Sequence, residues 1–229
     1  MFDTLVFDVN ETLIDLESLD PLFARLFGDP RVMREWFGQL VMYSMTVTLA
    51  GLYEDFFALG RGVLGMVAAQ HGVTVTADDV DELRARMLTM PAHPEVPAAL
   101  QALKDAGFRL VTLTNSPPNP HGTRQSPLEN AGLAGYFERQ LSVHPARAFK
   151  PSPLVYRLVS DALAVPLARC CMVAAHVWDT IGAQAAGMSG ALLTRPGNAL
   201  LDVPGLPQPS FVAPDLARLA KMLIAARSS

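Results

Sequence analysis

The stretch "LVFDVNETLIDL", residues 5–16, is where the chain's architecture first shows. Leu5, Val6 and Phe7 form an unbroken apolar run that stops at the carboxylate of Asp8, and Asn10 and Thr12 follow. A run without polar alternation reads as a strand buried on both faces, the usual condition of a strand in a parallel sheet. Ligands of an open parallel sheet bind outside the carboxyl ends of its strands. Asp8 therefore stands at a ligand edge.

Working outward, "TLVFDV" (4–9), "FRLVTLT" (108–114) and "CCMVAA" (170–175) read as three such strands, with "GALLT" (190–194) a fourth and "FVA" (211–213) a fifth. Helical patterns lie between them. Val96, Ala99, Leu100 and Leu103 share one helix face, and Gly107 follows in the position of a C-terminal cap. "SPLVYRLVSDALA" (152–164) repeats the device, with Leu154, Leu158 and Leu163 among its apolar positions. Strands alternating with helices predict an α/β fold, a Rossmann-like parallel sheet covered on both faces.

Residues 17–90 break the alternation. They hold no convincing strand but several helical patterns, notably "VTADDVDELRARMLTM" (75–90), where Thr76 and Asp79 have capping-box spacing and Val80, Leu83 and Met87 share a face. This interval is expected to be a helical cap inserted over the sheet, with the Pro-rich "PAHPEVP" (91–97) leading back. The core domain is then 1–16 plus 91–229, and the cap 17–90.

The 229 residues are half apolar and 17% charged, which predicts a substantial core and not disorder. Net charge is −4, so no electrostatic footprint for nucleic acid or an anionic membrane is present. No apolar run approaches bilayer length, and Asp3 stands where a signal peptide would be basic, so a cytoplasmic location is expected. The two cysteines, Cys170 and Cys171, are adjacent in an apolar stretch, and neighbouring strand residues point to opposite faces. They are expected to be buried filler and not a disulfide or metal site.

Polar residues gather at the strand ends: Asp8, then Thr114, Asn115 and Ser116, then His176 and Asp179, with Lys150 in "AFKPSP" just before a helix. A single strand-end Asp commonly caps a helix or turn. Four segments delivering two acids, a cation and a hydroxyl–amide pair to one edge are a stronger signal. "FDVNETL", "LTNS", "FKPSPLVY" and "VAAHVWD" resemble, in order and spacing, the four motifs of the haloacid dehalogenase superfamily, and most of all its metal-independent type II L-2-haloacid dehalogenases. The resemblance runs nearly end to end, including the helical cap after the first motif.

That resemblance implies a hydrolase acting on carbon–halide bonds. A strand-end carboxylate can act as a nucleophile and split a hard hydrolysis into two displacements through an ester. By resemblance, Asp8 attacks C2 of a short 2-haloacid, and water then cleaves the ester to a 2-hydroxy acid. Lys150 and Asp179 match the motif lysine and acid. Thr12, Asn10, Thr114, Asn115, Phe37, Tyr156 and Trp178 match positions facing the nucleophile or the substrate. A phosphatase of the superfamily uses an Asp two residues after the nucleophile as general acid, and Mg²⁺ held by further carboxylates. Here that position is Asn10, hard oxygen ligands are scarce, and a halide leaving group needs no proton. No cofactor or metal is therefore expected, and the substrate is a short halogenated carboxylate. A phosphatase with an altered acid, and a non-catalytic member binding a small anion or partner, stand as alternatives.

Three departures matter. The familiar dehalogenases carry an Arg just after a cap Trp, whereas Trp36 is followed here by Phe37, with Arg34 before it. Ala174 and His176 stand where a Ser and an Asn usually hold the hydrolytic water. His176 could take over as water-activating base near neutral pH. Phe37, Met42, Tyr43 and Met45 predict an apolar cap face, which leaves a homodimer open. "TNSPPNPHGTRQSP" (114–127) reads as an active-site loop in which Arg124 could supply the missing charge. "RPGNALLDVPGLPQPSF" (195–211) reads as a surface loop, and His71, His93, His121 and His144 as surface residues.

Overall fold

The computed structural model of the chain describes residues 2–117 and 126–227; Arg124, His121 and most of the Pro-rich loop lie outside the described residues. Six strands form one sheet: β1 (Thr4–Phe7), β2 (Arg109–Thr114), β3 (Arg139–Ser142), β4 (Cys170–Ala174), β5 (Ser189–Leu193) and β6 (Phe211–Ala213). Their order is β3-β2-β1-β4-β5-β6, and every pair is parallel. β1 lies at the centre with both faces covered, and Thr4, Leu5, Val6 and Phe7 are wholly buried. That explains its unbroken apolar run.

β3 is the strand that the sequence pattern does not announce. Its residues "RQLS" are exposed to half-buried on a sheet edge, where the strand pairs with β2. The strand order doubles back between β1 and β4, and this reversal opens the crevice at the carboxyl ends.

Helices α5 (Val96–Asp105) and α9 (Leu216–Arg227) pack together on one side, and α7 (Pro153–Leu163) packs against α8 (Val177–Ala185) on the other. Among the described residues between β2 and β3 are the short α6 (Pro127–Asn130) and a 3-10 turn at Ala134–Tyr136. α5 ends as its sequence predicts. Gly107 takes φ +82°, and Phe108 N–H bonds the Leu103 carbonyl at 3.1 Å. On α7 the buried face is Val155, Tyr156 and Val159, and Leu154 is exposed, because at about 100° per residue it points away from that face. Both thiols are free and buried.

Between β1 and α5 the chain forms α1 (Asp20–Phe27), α2 (Val32–Leu49), α3 (Phe56–Gln70) and α4 (Ala77–Leu88), a helical insertion. α2 and α3 pack closely where Trp36 Nε1 donates to the Gly60 carbonyl at 2.9 Å. A methyl on Gly60 would meet Trp36 and Leu40 at 3.4 Å, so this crossing leaves little room for a side chain. α4 opens with the expected capping box: Thr76 N–H donates to the Asp79 carboxylate at 2.8 Å, and Asp79 N–H donates to Thr76 Oγ1 at 3.3 Å. No helix among the described residues is long and apolar enough to cross a membrane.

Candidate active site

The site grows from the end of β1. Asp8 is the first residue past the strand, and its N–H still donates to the Val173 carbonyl at 3.0 Å, so its backbone is held by β4. Its carboxylate faces the crevice and is 5% exposed. Lys150 Nζ donates to Asp8 Oδ1 at 2.7 Å, and Thr12 Oγ1 donates to Oδ2 at 2.8 Å. Thr12 is positioned in turn by the Ala175 N–H, which donates to its hydroxyl at 2.9 Å.

Lys150 is completely buried and bridges two acids, since its ammonium also donates to Asp179 Oδ2 at 2.8 Å. Its backbone N–H is held by Asn115 Oδ1 at 3.1 Å. Tyr156, on α7, donates to Asp179 Oδ1 at 2.7 Å, so both oxygens of Asp179 are occupied. The sequence-predicted set Asp8, Thr12, Asn115, Lys150, Tyr156 and Asp179 is thus one connected network.

Its protonation states follow from these contacts. Burial alone would raise the Asp8 carboxyl, but the Lys150 charge and His176 outweigh it and hold Asp8 far below the ordinary carboxylate range. Lys150 is pulled down by burial and pushed higher overall by Asp179 and Asp8. Asp179 goes the other way: burial and the neighbouring Asp8 charge raise it, against Lys150 and Tyr156. Asp8 is accordingly the ionised carboxylate of the network, and Asp179 is held between Lys150 and Tyr156.

His176 precedes α8 and reaches back across the crevice. Its Nδ1 lies 3.6 Å from Asp8 Oδ2 and has no hydrogen-bond partner, while Nε2 pairs with Glu11 Oε2 at 2.7 Å. The ring is held between Trp178, stacked at 5.1 Å and 16°, and Phe37 from the cap at 5.5 Å. Of the expected apolar cap face, only Phe37 reaches this ring. Met42 is half exposed because it lies on the far side of α2.

Asn10 and Thr114 are placed differently. They line a cavity of about 340 Å³ that runs from Val9 under Phe56, Met87 and Arg84 of the cap, alongside the Asp8 network and not through it.

Several residues of the site escaped sequence reasoning. Glu11 sits between Asn10 and Thr12, is 3% exposed and has φ +64°. It is ion-paired with Arg34 and accepts from Asn198 Nδ2 at 2.9 Å. Arg34 therefore reaches Glu11, Glu17 and the Pro196 carbonyl, and not Asp8. The 195–211 segment is only partly surface: Arg195 is buried, donating to the Thr12 carbonyl at 3.0 Å and pairing with Glu95 at 2.7 Å. His93 is likewise drawn in, its Nε2 lying 3.0 Å from the Glu11 carbonyl oxygen. A buried-charge pattern of this kind has no local sequence signature; the only signal was an acid three residues after Asp8.

Among the described residues, no group of three or more His, Cys, Asp or Glu side chains is arranged to hold a metal ion. Lys150 Nζ fills the space between the two motif acids.

A profile of haloacid dehalogenase-like hydrolases matches residues 2–187. The chain belongs to that family. It is 30% identical over 192 residues to (S)-2-haloacid dehalogenase 1 of Pseudomonas sp. (strain CBS-3), covering 83% of each chain. It is 29% identical over 201 residues to haloacetate dehalogenase H-2 of Moraxella sp. (strain B), covering 86% of this chain and 88% of that one. The solved L-2-haloacid dehalogenase of Xanthobacter autotrophicus superposes with a TM-score of 0.86 at 25% identity, covering 97% and 98% of the two chains. As a member of the haloacid dehalogenase-like hydrolases, the chain has the family's α/β core with a helical insertion after the first strand.

Proposed function

We propose that the protein hydrolyses short 2-haloacids to 2-hydroxy acids without a metal, through an ester on Asp8. The observation that carries the reading is Asp8 itself, an ionised carboxylate fixed by Lys150 and Thr12, with the neutral Asn10 two residues on. Attack by an Asp8 oxygen on C2 forms a C2–O bond and breaks the carbon–halogen bond, whose electron pair leaves with the halide. Water then adds to the Asp8 carbonyl carbon, and the C2 oxygen departs with its bond to C2 intact. One displacement at C2 means net inversion there. No acid is required for the leaving group, which is why Asn10 is tolerable for a halide and not for an alcohol.

In this reading residues 1–16 and 91–229 carry the chemistry and 17–90 cover it. Phe37 occupies the position of the family arginine. Asp179, with both oxygens engaged, supports Lys150 while His176 faces the ester. The test is halide release from a panel of short 2-chloro, 2-bromo and 2-fluoro acids with EDTA present. Release that Asp8→Asn abolishes supports the proposal. No release from any acid, together with Mg²⁺-dependent phosphate release from phosphoesters, overturns it in favour of a phosphatase.

A further inference from the structure

We infer that forming the ester on Asp8 converts His176 from an imidazolium into the base of the second half-reaction, with Glu11 as the positioning residue that holds the ring throughout. The inference rests on the dehalogenase reading of Asp8 and adds a residue, Glu11, and a timing to it.

The geometry is directional. One ring nitrogen of His176 is tied to Glu11 at 2.7 Å, and the other, buried and unpartnered, points at the nucleophile's oxygen from 3.6 Å. The second distance is too long for a hydrogen bond, and it leaves that nitrogen free to meet a water approaching the Asp8 carboxyl. Phe37 and Trp178 fix the ring plane between them. Glu11 is fixed as firmly: Arg34 and Asn198 hold its carboxylate, and His93 holds its carbonyl. Its left-handed backbone, φ +64°, is costly for a residue with a Cβ, and such outliers persist where the surroundings enforce them. What the strained position gains over a glycine is this carboxylate.

Among the described residues, the charges near the ring can be placed. From the segment after β1 come Asp8 and Glu11, the two acids that face it. Arg34 of α2 lies beyond Glu11, Lys150 lies beyond Asp8, and Asp179 lies beyond Lys150. Burial pulls the imidazole down, but Asp8 and Glu11 outweigh it and push it up to about 9. The resting ring is therefore protonated at neutral pH. Alkylation turns Asp8 into a neutral ester. One of the two acids then vanishes while the burial stays, so the ring's proton affinity falls.

The protons balance. On ester formation, His176 loses its Nδ1 proton to solvent and keeps Nε2–H donated to Glu11. Nδ1 then takes a proton from water as the oxygen bonds to the Asp8 carbonyl carbon. When the intermediate collapses, the departing alkoxide takes that proton to become the 2-hydroxy acid. The Asp8 carboxyl that remains returns its own proton to Nδ1, restoring carboxylate and imidazolium. The single proton that hydrolysis of a haloacid must release is the one shed on ester formation.

Two measurements test this on the full chain. In ¹⁵N-histidine NMR titrations, with the His176 signal assigned by its loss in His176→Ala, native His176 should titrate near 9. Asp8→Asn, whose side chain is as neutral as the ester, should lower that midpoint by about one unit or more. An unchanged midpoint overturns the inference, and this readout needs no catalysis. In the second measurement, Glu11→Gln and His176→Ala should each show a burst of about one halide per Asp8 followed by slow turnover, since alkylation outlives the loss of the base. Equal slowing with no burst overturns the inference, and either variant suffices if the other does not fold. If even the native chain releases no halide, the dehalogenase reading falls instead, while the NMR shift still decides the switch.

Discussion

Lys150→Met is the most informative single perturbation of the network. Methionine keeps most of the stem and removes the ammonium that bonds Asp8 at 2.7 Å and Asp179 at 2.8 Å in a fully buried position. Breaking a buried ion pair from one side costs about 3–5 kcal/mol, because the other charge stays buried and uncompensated. Here two carboxylates lose the same cation and are left as like-charged neighbours, so the upper half of that range, about 4–5 kcal/mol, is expected at neutral pH. At about 2–4 °C per kcal/mol for a chain of this size, the melting temperature should drop by roughly 10 °C or more. The deficit must also depend on pH. Asp8's folded pKa lies below its unfolded value, so it contributes stability above the unfolded pKa and loses it as pH falls through the folded one. Without Lys150, Asp179 loses its cation and is expected to titrate above its ordinary range while His176 still faces Asp8, so mild acid neutralises Asp179 and relieves the variant while leaving the native chain's contribution in place. Urea unfolding at neutral pH and at about pH 5, read at matched slopes, measures both effects. A loss under about 1 kcal/mol at neutral pH, or one that does not shrink on acidification, would refute the reasoning.

Other tests address neighbouring features. A methyl on Gly182 would sit 2.4 Å from Pro151 Cβ and 2.7 Å from the Tyr156 hydroxyl, so Gly182→Ala should cost about 1–3 kcal/mol by denaturation and lower halide release by displacing Lys150's neighbour. Thr76→Ala removes half of the capping box on α4 and should cost about 1 kcal/mol, visible as a shift in urea midpoint at constant slope. His176, raised to about 9 by Asp8 and Glu11 against burial, contributes stability that is full below about 6.5 and lost as pH rises through about 9. Thermal melts of the native chain should therefore fall across that alkaline window. A His176→Ala chain with the same alkaline fall would contradict the assignment.

The sheet was legible wherever burial wrote itself into composition. β1, β2, β4 and β5 are enclosed on both faces, and each shows as an apolar run ending in a polar residue. β3 was invisible because an edge strand is not enclosed on both faces, and "RQLS" holds a single apolar residue, Leu141, with no run to betray it. The site divides in the same way. Asp8, Lys150 and Asp179 follow strand ends or open helices, and sheet topology brings such positions to one edge. Arg195 and Asn198 belong to a loop whose polarity reads as solvent exposure, yet they fold inward onto Thr12 and Glu11.

From residue order alone came the parallel α/β core, the helical insertion, and the placing of Asp8, Lys150 and Asp179 at one sheet edge, since periodicity and strand-end polarity are local properties carried along the chain. Which charges stand next to which was settled only by the tertiary structure. Arg34 turns to Glu11 and not to Asp8, Phe37 packs on His176, and the histidine is tied to one acid while facing another. The physical reason is that Coulomb energy and burial depend on distances through space: Glu11 and His176 are 165 residues apart in sequence and 2.7 Å apart in the fold.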